Sequence, residues 1–276
     1  MARETARTVL VTGCSSGIGL ALAKAFRTAG CRVVATARRP DDVDLVPSDD
    51  LLVLRHDVTD GRSIHNAVTR AVEWAGAIDM VVNNAGFGLI GPAAELDLDN
   101  LRRQLETNVV GPVAVVQAVV GDMIDRGRGV IVNVGSVSGL TTTPFAGAYC
   151  SSKAALHCLS DALRMELAPF GVDVVLVQPG AVASRFGEAS AAGLDRYRAP
   201  ESRYRDLANA IDHRARLSQD RPTDADDFAR HVVNRVLRSD PPAVIRAGRG
   251  SRLLPLLGRL PRSLRERILR SRFDLS

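Results

Sequence analysis

Lysine is almost missing from this chain of 276 residues. Of its 36 basic residues only Lys24 and Lys153 are lysines, and arginine supplies the rest. A position that keeps lysine in such a chain asks for a compact, rotatable ammonium rather than a flat guanidinium. Cysteine is scarce too. Cys14, Cys31, Cys150 and Cys158 are scattered and form no Cys-x-x-Cys pair, which argues against a disulfide framework or a zinc site and suits a reducing, cytoplasmic setting. Long apolar runs are also lacking. The longest, residues 109–120, is broken by Gly111, Pro112 and Gln117 and falls short of the roughly 20 residues a membrane span needs. Residues 1–12 hold too short an apolar run for a signal peptide. No spanning helix is expected.

A net positive charge is missing from most of the chain. The net charge is +5, yet residues 241–276 alone carry nine arginines against Glu266 and Asp274. The first 240 residues are therefore slightly acidic, and the basicity belongs to the tail. No nucleic-acid partner is expected for the body of the protein.

What is present is alternation. Residues 8–12, 32–36, 51–54, 78–82, 130–134 and 172–177 read as short strands, several of them apolar on both faces. Between them, 18–29, 63–74, 98–126 and 148–170 carry helical periodicity. Strands buried on both faces and separated by helices predict an α/β fold with a doubly wound parallel sheet. After Pro179 the pattern weakens: residues 181–221 are rich in Arg, Ala and Ser and suit a mobile lid. Residues 223–238 read as a helix opened by a Thr223-x-x-Asp226 capping box, and 243–245 as an edge strand. The expected organisation is one catalytic domain over 1–248, with a lid over about 181–221, and a basic amphipathic tail over 249–276.

The loop after the first strand, Gly13-Cys14-Ser15-Ser16-Gly17-Ile18-Gly19, has the glycines that let backbone N–H groups approach a pyrophosphate at a helix N-terminus. A glycine-rich turn can also be just a tight turn, but here it joins a first strand to a first helix. Gly13-Cys14-Ser15-Ser16-Gly17 also satisfies the Gly-x-Ser-x-Gly pattern of a hydrolase nucleophile, which leaves a serine hydrolase as a remote alternative. That elbow belongs on a later strand, and none of the histidines at 56, 65, 157, 213 and 231 is placed as its partner. The second strand ends in Thr36-Ala37 without the carboxylate that would accept from an NAD ribose, and Arg38-Arg39 follow. The pair suits the 2′-phosphate of NADP(H), or else is two more surface arginines.

Tyr149 and Lys153 lie four residues apart on a predicted helix, with Cβ atoms about 5–6 Å apart. An ammonium at that range favours phenolate and is expected to lower the Tyr149 pKa from about 10.

Thr12-Gly13-x3-Gly17-x-Gly19, Asn83-Asn84-Ala85-Gly86, Ser136, Tyr149-x3-Lys153 and Pro179-Gly180 occur in order. Together they resemble the short-chain dehydrogenase/reductase family over about residues 8–184. The resemblance implies a Rossmann-like fold and a catalytic set of Tyr149 as acid/base, Lys153, Ser136 on the substrate oxygen, and Asn108 holding a relay water. It implies cofactor contacts at Gly13, Ser15, Ser16, Gly17, Ile18, Gly19, Arg38, Arg39, Asp57, Val58, Asn84, Ala85, Gly86, Tyr149, Lys153, Pro179, Gly180, Val182 and Ser184. The chain departs from the family at Ser184, where threonine is frequent, and at Gly135, where a second serine is common. The family mostly associates through the helices that match 98–126 and 148–170, so a homo-oligomer is expected.

Phe87, Val137, Ser138, Phe145 and Phe186, with Leu194 and Tyr197 in the lid, can line an apolar substrate pocket or belong to the core. The run Asn83-Asn84-Ala85-Gly86-Phe87-Gly88 is similar to members acting on steroids, retinoids and acyl-lipid ketones. The expected activity is NADP(H)-dependent interconversion of a ketone and a secondary alcohol on a lipophilic small molecule. The alternative is a non-catalytic NADP-binding sensor or scaffold. The tail interleaves leucines with eight arginines over 249–273. It reads either as a flap over the pocket or as a peripheral membrane contact.

Overall fold

The computed structural model describes residues 6–191 and 193–275. The first five residues of the expected domain, Ala192 of the expected lid and Ser276 of the tail lie outside that description.

Seven strands form one sheet: β1 (Thr8–Thr12), β2 (Arg32–Ala37), β3 (Leu51–Arg55), β4 (Met80–Asn83), β5 (Gly129–Val134), β6 (Val172–Pro179) and β7 (Val244–Ala247). Their order is β3-β2-β1-β4-β5-β6-β7, and every neighbouring pair is parallel. The valine-rich strands β1, β4 and most of β5 and β6 are buried, as expected for strands covered on both faces. Chain order reverses between β1 and β4. The loops leaving those two strands diverge there and open a crevice at the strands' C-terminal ends.

Helix α1 (Gly17–Thr28) and helix α8 (Ala225–Val236) cover one face, where Leu22, Phe26, Phe228 and Val232 pack on Val9, Val11 and Val177. Helices α2 (Gly61–Ala75), α3 (Leu98–Leu105), α4 (Gly111–Asp125) and α5 (Gly147–Leu167) account for the other. There Ile64, Val115, Val119 and Met123 pack on Leu10, Val81 and Ile131. The N-cap of α8 is Asp224, whose carboxylate accepts from Asp226 N and Asp227 N at 2.9 and 3.0 Å. The expected capping box is therefore displaced by one residue. Thr223 instead accepts from Arg249 N at 2.9 Å.

The long helix expected over 98–126 is α3 joined to α4 through a π-turn, Glu106–Val110, in which Gly111 N–H reaches Glu106 O. Pro112 has no N–H to give the Asn108 carbonyl, so that oxygen lacks its α-helical donor. The continuous rod Leu98–Asp125 has 28 residues and a mean hydropathy of 1.4 in its most apolar window, enough for a span by length and composition. The sequence run looked too short because Gly111 and Pro112 do not end the helix. Val115, Val116, Val119 and Met123 bury its inner face in the core.

The expected lid is more regular than its composition suggests. It contains α6 (Phe186–Ala191) and α7 (Ala208–Arg216). A third apolar cluster, including Phe145, Cys150, Leu194, Tyr197 and Ile211, ties it to the start of α5. Two helices in the tail, α9 (Leu254–Leu257) and α10 (Arg262–Arg272), complete the chain.

Candidate functional site

A cavity of about 920 Å³ runs along the crevice, over the ends of the central strands and beneath the lid and tail. At one end lies the β1–α1 loop, with Gly13, Ser15, Ser16, Gly17, Ile18 and Gly19 all on its wall. Gly17 takes a left-handed turn, φ 57°. A Cβ on Gly19 would collide with the Gly13 carbonyl and the Asn84 amide, so this crossing tolerates no side chain. Ser16 caps α1 without a side-chain hydrogen bond, and the first turn carries no acid. Nothing among the described residues competes for the N–H groups at that N-terminus, which fits the pyrophosphate of a dinucleotide. The Ser15 of the hydrolase pattern belongs to this loop, and His56 is engaged elsewhere, with its Nδ1 3.2 Å from Thr36 Oγ1.

The second loop is laced to the first through Thr12. Its hydroxyl accepts from Asn84 N and Ala85 N, both at 3.0 Å, and Asn84 Nδ2 donates to Thr12 O at 2.9 Å. Asn84, Ala85 and Gly86 thereby form the cavity wall opposite Gly13. Arg38, Asp57 and Val58 also line this end. Asp57 is not the cap of α2, a role filled by Asp60; its carboxylate accepts from Thr59 N at 3.0 Å. Arg39 is off the cavity, paired with Asp42 at 2.8 Å and four-fifths exposed. The two-arginine expectation thus reduces to Arg38.

Pro179, Gly180, Val182 and Ser184 follow β6 along the floor. Ser184 N donates to Gln219 Oε1 at 3.2 Å, which fixes the loop against the lid.

At the centre, β5 delivers Ser136 and α5 delivers Tyr149 and Lys153. All three are buried. Ser136 Oγ accepts from Ser138 N at 3.1 Å, and its backbone N–H donates to His157 Nε2 at 3.3 Å. Lys153 Nζ donates to Val134 O at 2.8 Å. Burial pushes the Lys153 ammonium down to about 8. The expected lowering of the Tyr149 pKa does not occur. Burial pushes it up to about 12, and the Ser136 hydroxyl and the Arg214 guanidinium only partly offset this. Desolvation outweighs every neighbouring charge and decides the phenol's state.

Asn108 is fully buried in the π-turn. Its Oδ1 accepts from Phe87 N at 3.1 Å, and its Nδ2 donates to Phe87 O at 2.9 Å and to Ser152 Oγ at 3.1 Å. The side chain expected to hold a water is thus committed to protein. Its main-chain carbonyl has no α-helical donor, because Pro112 stands four residues on.

The other end of the cavity is apolar. Phe87, Val137, Ser138 and Phe186 line it, and Phe186 lies over Tyr149 with ring centroids 5.1 Å apart. Gly88 makes room for that ring. Phe145, Leu194 and Tyr197 do not line it; they form the third core cluster instead, with Phe145 held at φ 59°. Sequence reasoning missed Thr141, Thr143, Arg214 and Leu217; of its two readings of the tail, the flap over the pocket matches the residues that line the cavity. Leu254, Leu257, Leu269 and Phe273 form a wall of the cavity, anchored where Thr141 Oγ1 donates to Leu254 O at 3.0 Å. Phe273 is almost wholly buried.

Residues 7–194 match the family model described as short chain dehydrogenase. The chain belongs to the short-chain dehydrogenase family. Its members are oxidoreductases that use a nicotinamide nucleotide. The chain is 41% identical over 196 residues to human 17-beta-hydroxysteroid dehydrogenase type 1, covering 66% of this chain and 59% of that protein. It is 38% identical over 184 residues to the NADPH-dependent 1-acyldihydroxyacetone phosphate reductase of Schizosaccharomyces pombe, covering 66% and 62%. The chain thus spans about three fifths of these curated relatives. Among solved structures, a short-chain dehydrogenase from Streptomyces avermitilis superposes with a TM-score of 0.79 at 28% identity, over 98% of each chain.

Proposed function

We propose that this chain is an NADP(H)-dependent reductase or dehydrogenase that interconverts a ketone and a secondary alcohol on a lipophilic small molecule. The observation that carries the reading is the buried set of Ser136, Tyr149 and Lys153 facing a cavity continuous with an uncapped helix N-terminus. A nicotinamide dinucleotide held along Gly13–Gly19, Asn84–Gly86 and Pro179–Ser184 supplies or takes up the hydride. Ser136 Oγ holds the substrate oxygen. Tyr149, kept protonated by burial, gives that oxygen its proton in the reducing direction. Lys153 holds positive charge behind the phenol. Asn108 positions Phe87 through its side chain, and its main-chain carbonyl offers a water its acceptor.

Arg38 at the adenosine end, with no acid closing β2, supports NADP over NAD. The lipophilic class is supported by the apolar wall and by relatives named for a hydroxysteroid and an acyl-lipid ketone. The outer faces of the π-turn with α4 and of α5, with Val110 and Met165 exposed, are the surfaces through which we propose a homo-oligomer forms. A nucleotide sensor needs the loops but not the phenol, so Tyr149→Phe separates it from an enzyme. The variant should lose at least a thousandfold of ketone-dependent NADPH oxidation while its NADPH affinity, read by fluorescence titration, stays within about threefold. Undiminished turnover would sink the mechanism. NADH binding as tightly as NADPH would remove Arg38 from its role.

A further inference from the structure

Arg214 is a buried cation of the cavity that a purely lipophilic ketone leaves unexplained. It sits on α7 with the residue 8% exposed, and lines the cavity together with Thr143. Nε donates to Thr143 Oγ1 at 2.7 Å. Apart from that bond its side-chain partner among the described residues is the Cys150 thiol, a weak acceptor, and no ion pair joins it to a described carboxylate. A guanidinium has five donors in a planar fork. Burying one without an anionic partner is costly, and that cost is tolerated where a ligand completes the pair. Its immediate neighbours are Tyr149 and the thiol of Cys150, both uncharged when protonated. The fork therefore stands beside the group that handles the substrate oxygen, on the substrate side of the site. Beyond it Leu217 from the lid and Leu254, Leu257 and Phe273 from the tail line the cavity, with Arg272 at the same wall.

We propose that Arg214, positioned by Thr143, binds an anionic oxygen group of the substrate, and that the substrate is an apolar carbonyl compound carrying a carboxylate or phosphate near its reacting C=O. The carbonyl is presented to Ser136 and Tyr149, the anion pairs with the guanidinium fork, and the hydrocarbon lies on the tail leucines. This rests on the oxidoreductase reading above, and deepens it from a lipophilic ketone to an acidic one.

The experiment has a kinetic arm and a binding arm. In the kinetic arm, NADPH oxidation is followed with 2-oxodecanoate, with 3-oxodecanoate, and with the methyl ester of each. The wild type should favour at least one acid over its ester in kcat/KM by ten- to a hundredfold, the range for a hydrogen bond to a charged group. In Arg214→Gln that ratio should fall to near one, and in Arg214→Lys it should lie between. The ratio is internal to each variant, so a general loss of activity does not imitate the effect. In the binding arm, calorimetry compares decanoate, decyl phosphate and decanamide on the protein saturated with NADP. Wild type should bind one or both anions at least tenfold tighter than the amide, and Arg214→Gln should not. The anion that wins names the class.

Esters reduced as well as acids, or an acid preference unchanged in Arg214→Gln, overturns the anion site while leaving the reductase reading intact. Anion binding that depends on Arg214, with no turnover of any probe, upholds the anion site and counts against the reductase reading. Decanamide bound as tightly as both anions overturns the proposal on the binding side.

Discussion

Tyr149 and Lys153 show how burial rewrites a sequence motif. Spacing alone puts an ammonium within reach of a phenol and argues for an acidified tyrosine. The folded chain encloses both, and enclosure penalises each charged form: the phenol rises to about 12 and the ammonium falls to about 8. Lys153 has its folded pKa below the 10.5 of an exposed lysine in the unfolded chain. Between those two values the unfolded chain binds more protons, so stability rises with pH. Lys153→Met removes that dependence. The variant should be the more stable protein at pH 7.5, with its advantage in urea unfolding shrinking by about 2 kcal/mol by pH 9.5. A pH-independent difference would mean that Lys153 is not buried as an ammonium. The Tyr149 shift acts in the opposite sense, but only above its unfolded value near 10, outside this window. The residue types were legible in the sequence; their charge states were not, because desolvation depends on neighbours far away in the chain.

The working unit among the elements is α5. It presents Tyr149, Lys153 and His157 at four-residue spacing, one turn apart on a single face. The first two line the cavity, and His157 reaches the backbone of Ser136 at the end of β5. Gly135 and Gly139 lie so close to the imidazole that neither admits a side chain without displacing it. That accounts physically for Gly135 where a second serine is common. His157 accepts through Nε2 and is therefore neutral, with its pKa lowered to about 4 by burial and by Lys153. His56 is lowered to about 4 as well, by burial. Both contribute stability that is present above their unfolded value near 6.5 and lost as pH falls toward 4. His157→Gln should therefore lower the slope of unfolding free energy against pH, near pH 5, by about 1.2 kcal/mol per unit. An unchanged slope would place the imidazole in water. Alternation and valine content made the strands and main helices readable. The π-turn, the shifted cap of α8 and the helices of the lid were not. Each is set by a contact outside its own segment: the Asn108–Phe87 pairing, the Thr223–Arg249 bond, and the third core cluster.

For the whole molecule, the tail decides what kind of cleft this is. Leu257, Leu269 and Phe273 turn inward and Leu254 lines the cavity from an exposed position, while Leu256, Leu264 and Ile268 remain exposed beside the arginines. Removing residues 249–276 should raise KM for a long-chain ketone by at least tenfold, because an apolar wall worth several buried side chains is lost. NADPH affinity should move far less. Equal KM values would show that the wall does not touch substrate. Liposome flotation of the same two proteins tests the outward leucines: loss of anionic-vesicle binding on truncation would add a membrane contact to the role of the tail.

The division of the cavity along the chain also has a consequence in time. Apart from Arg249, the cradle beneath the cofactor is complete by Ser184, whereas Arg214 and the apolar wall come from the last quarter of the chain. During synthesis, at roughly 5–20 residues per second, a nascent chain carries its glycine loops and its first apolar lining residues seconds before it carries Arg214 and the tail that closes over them.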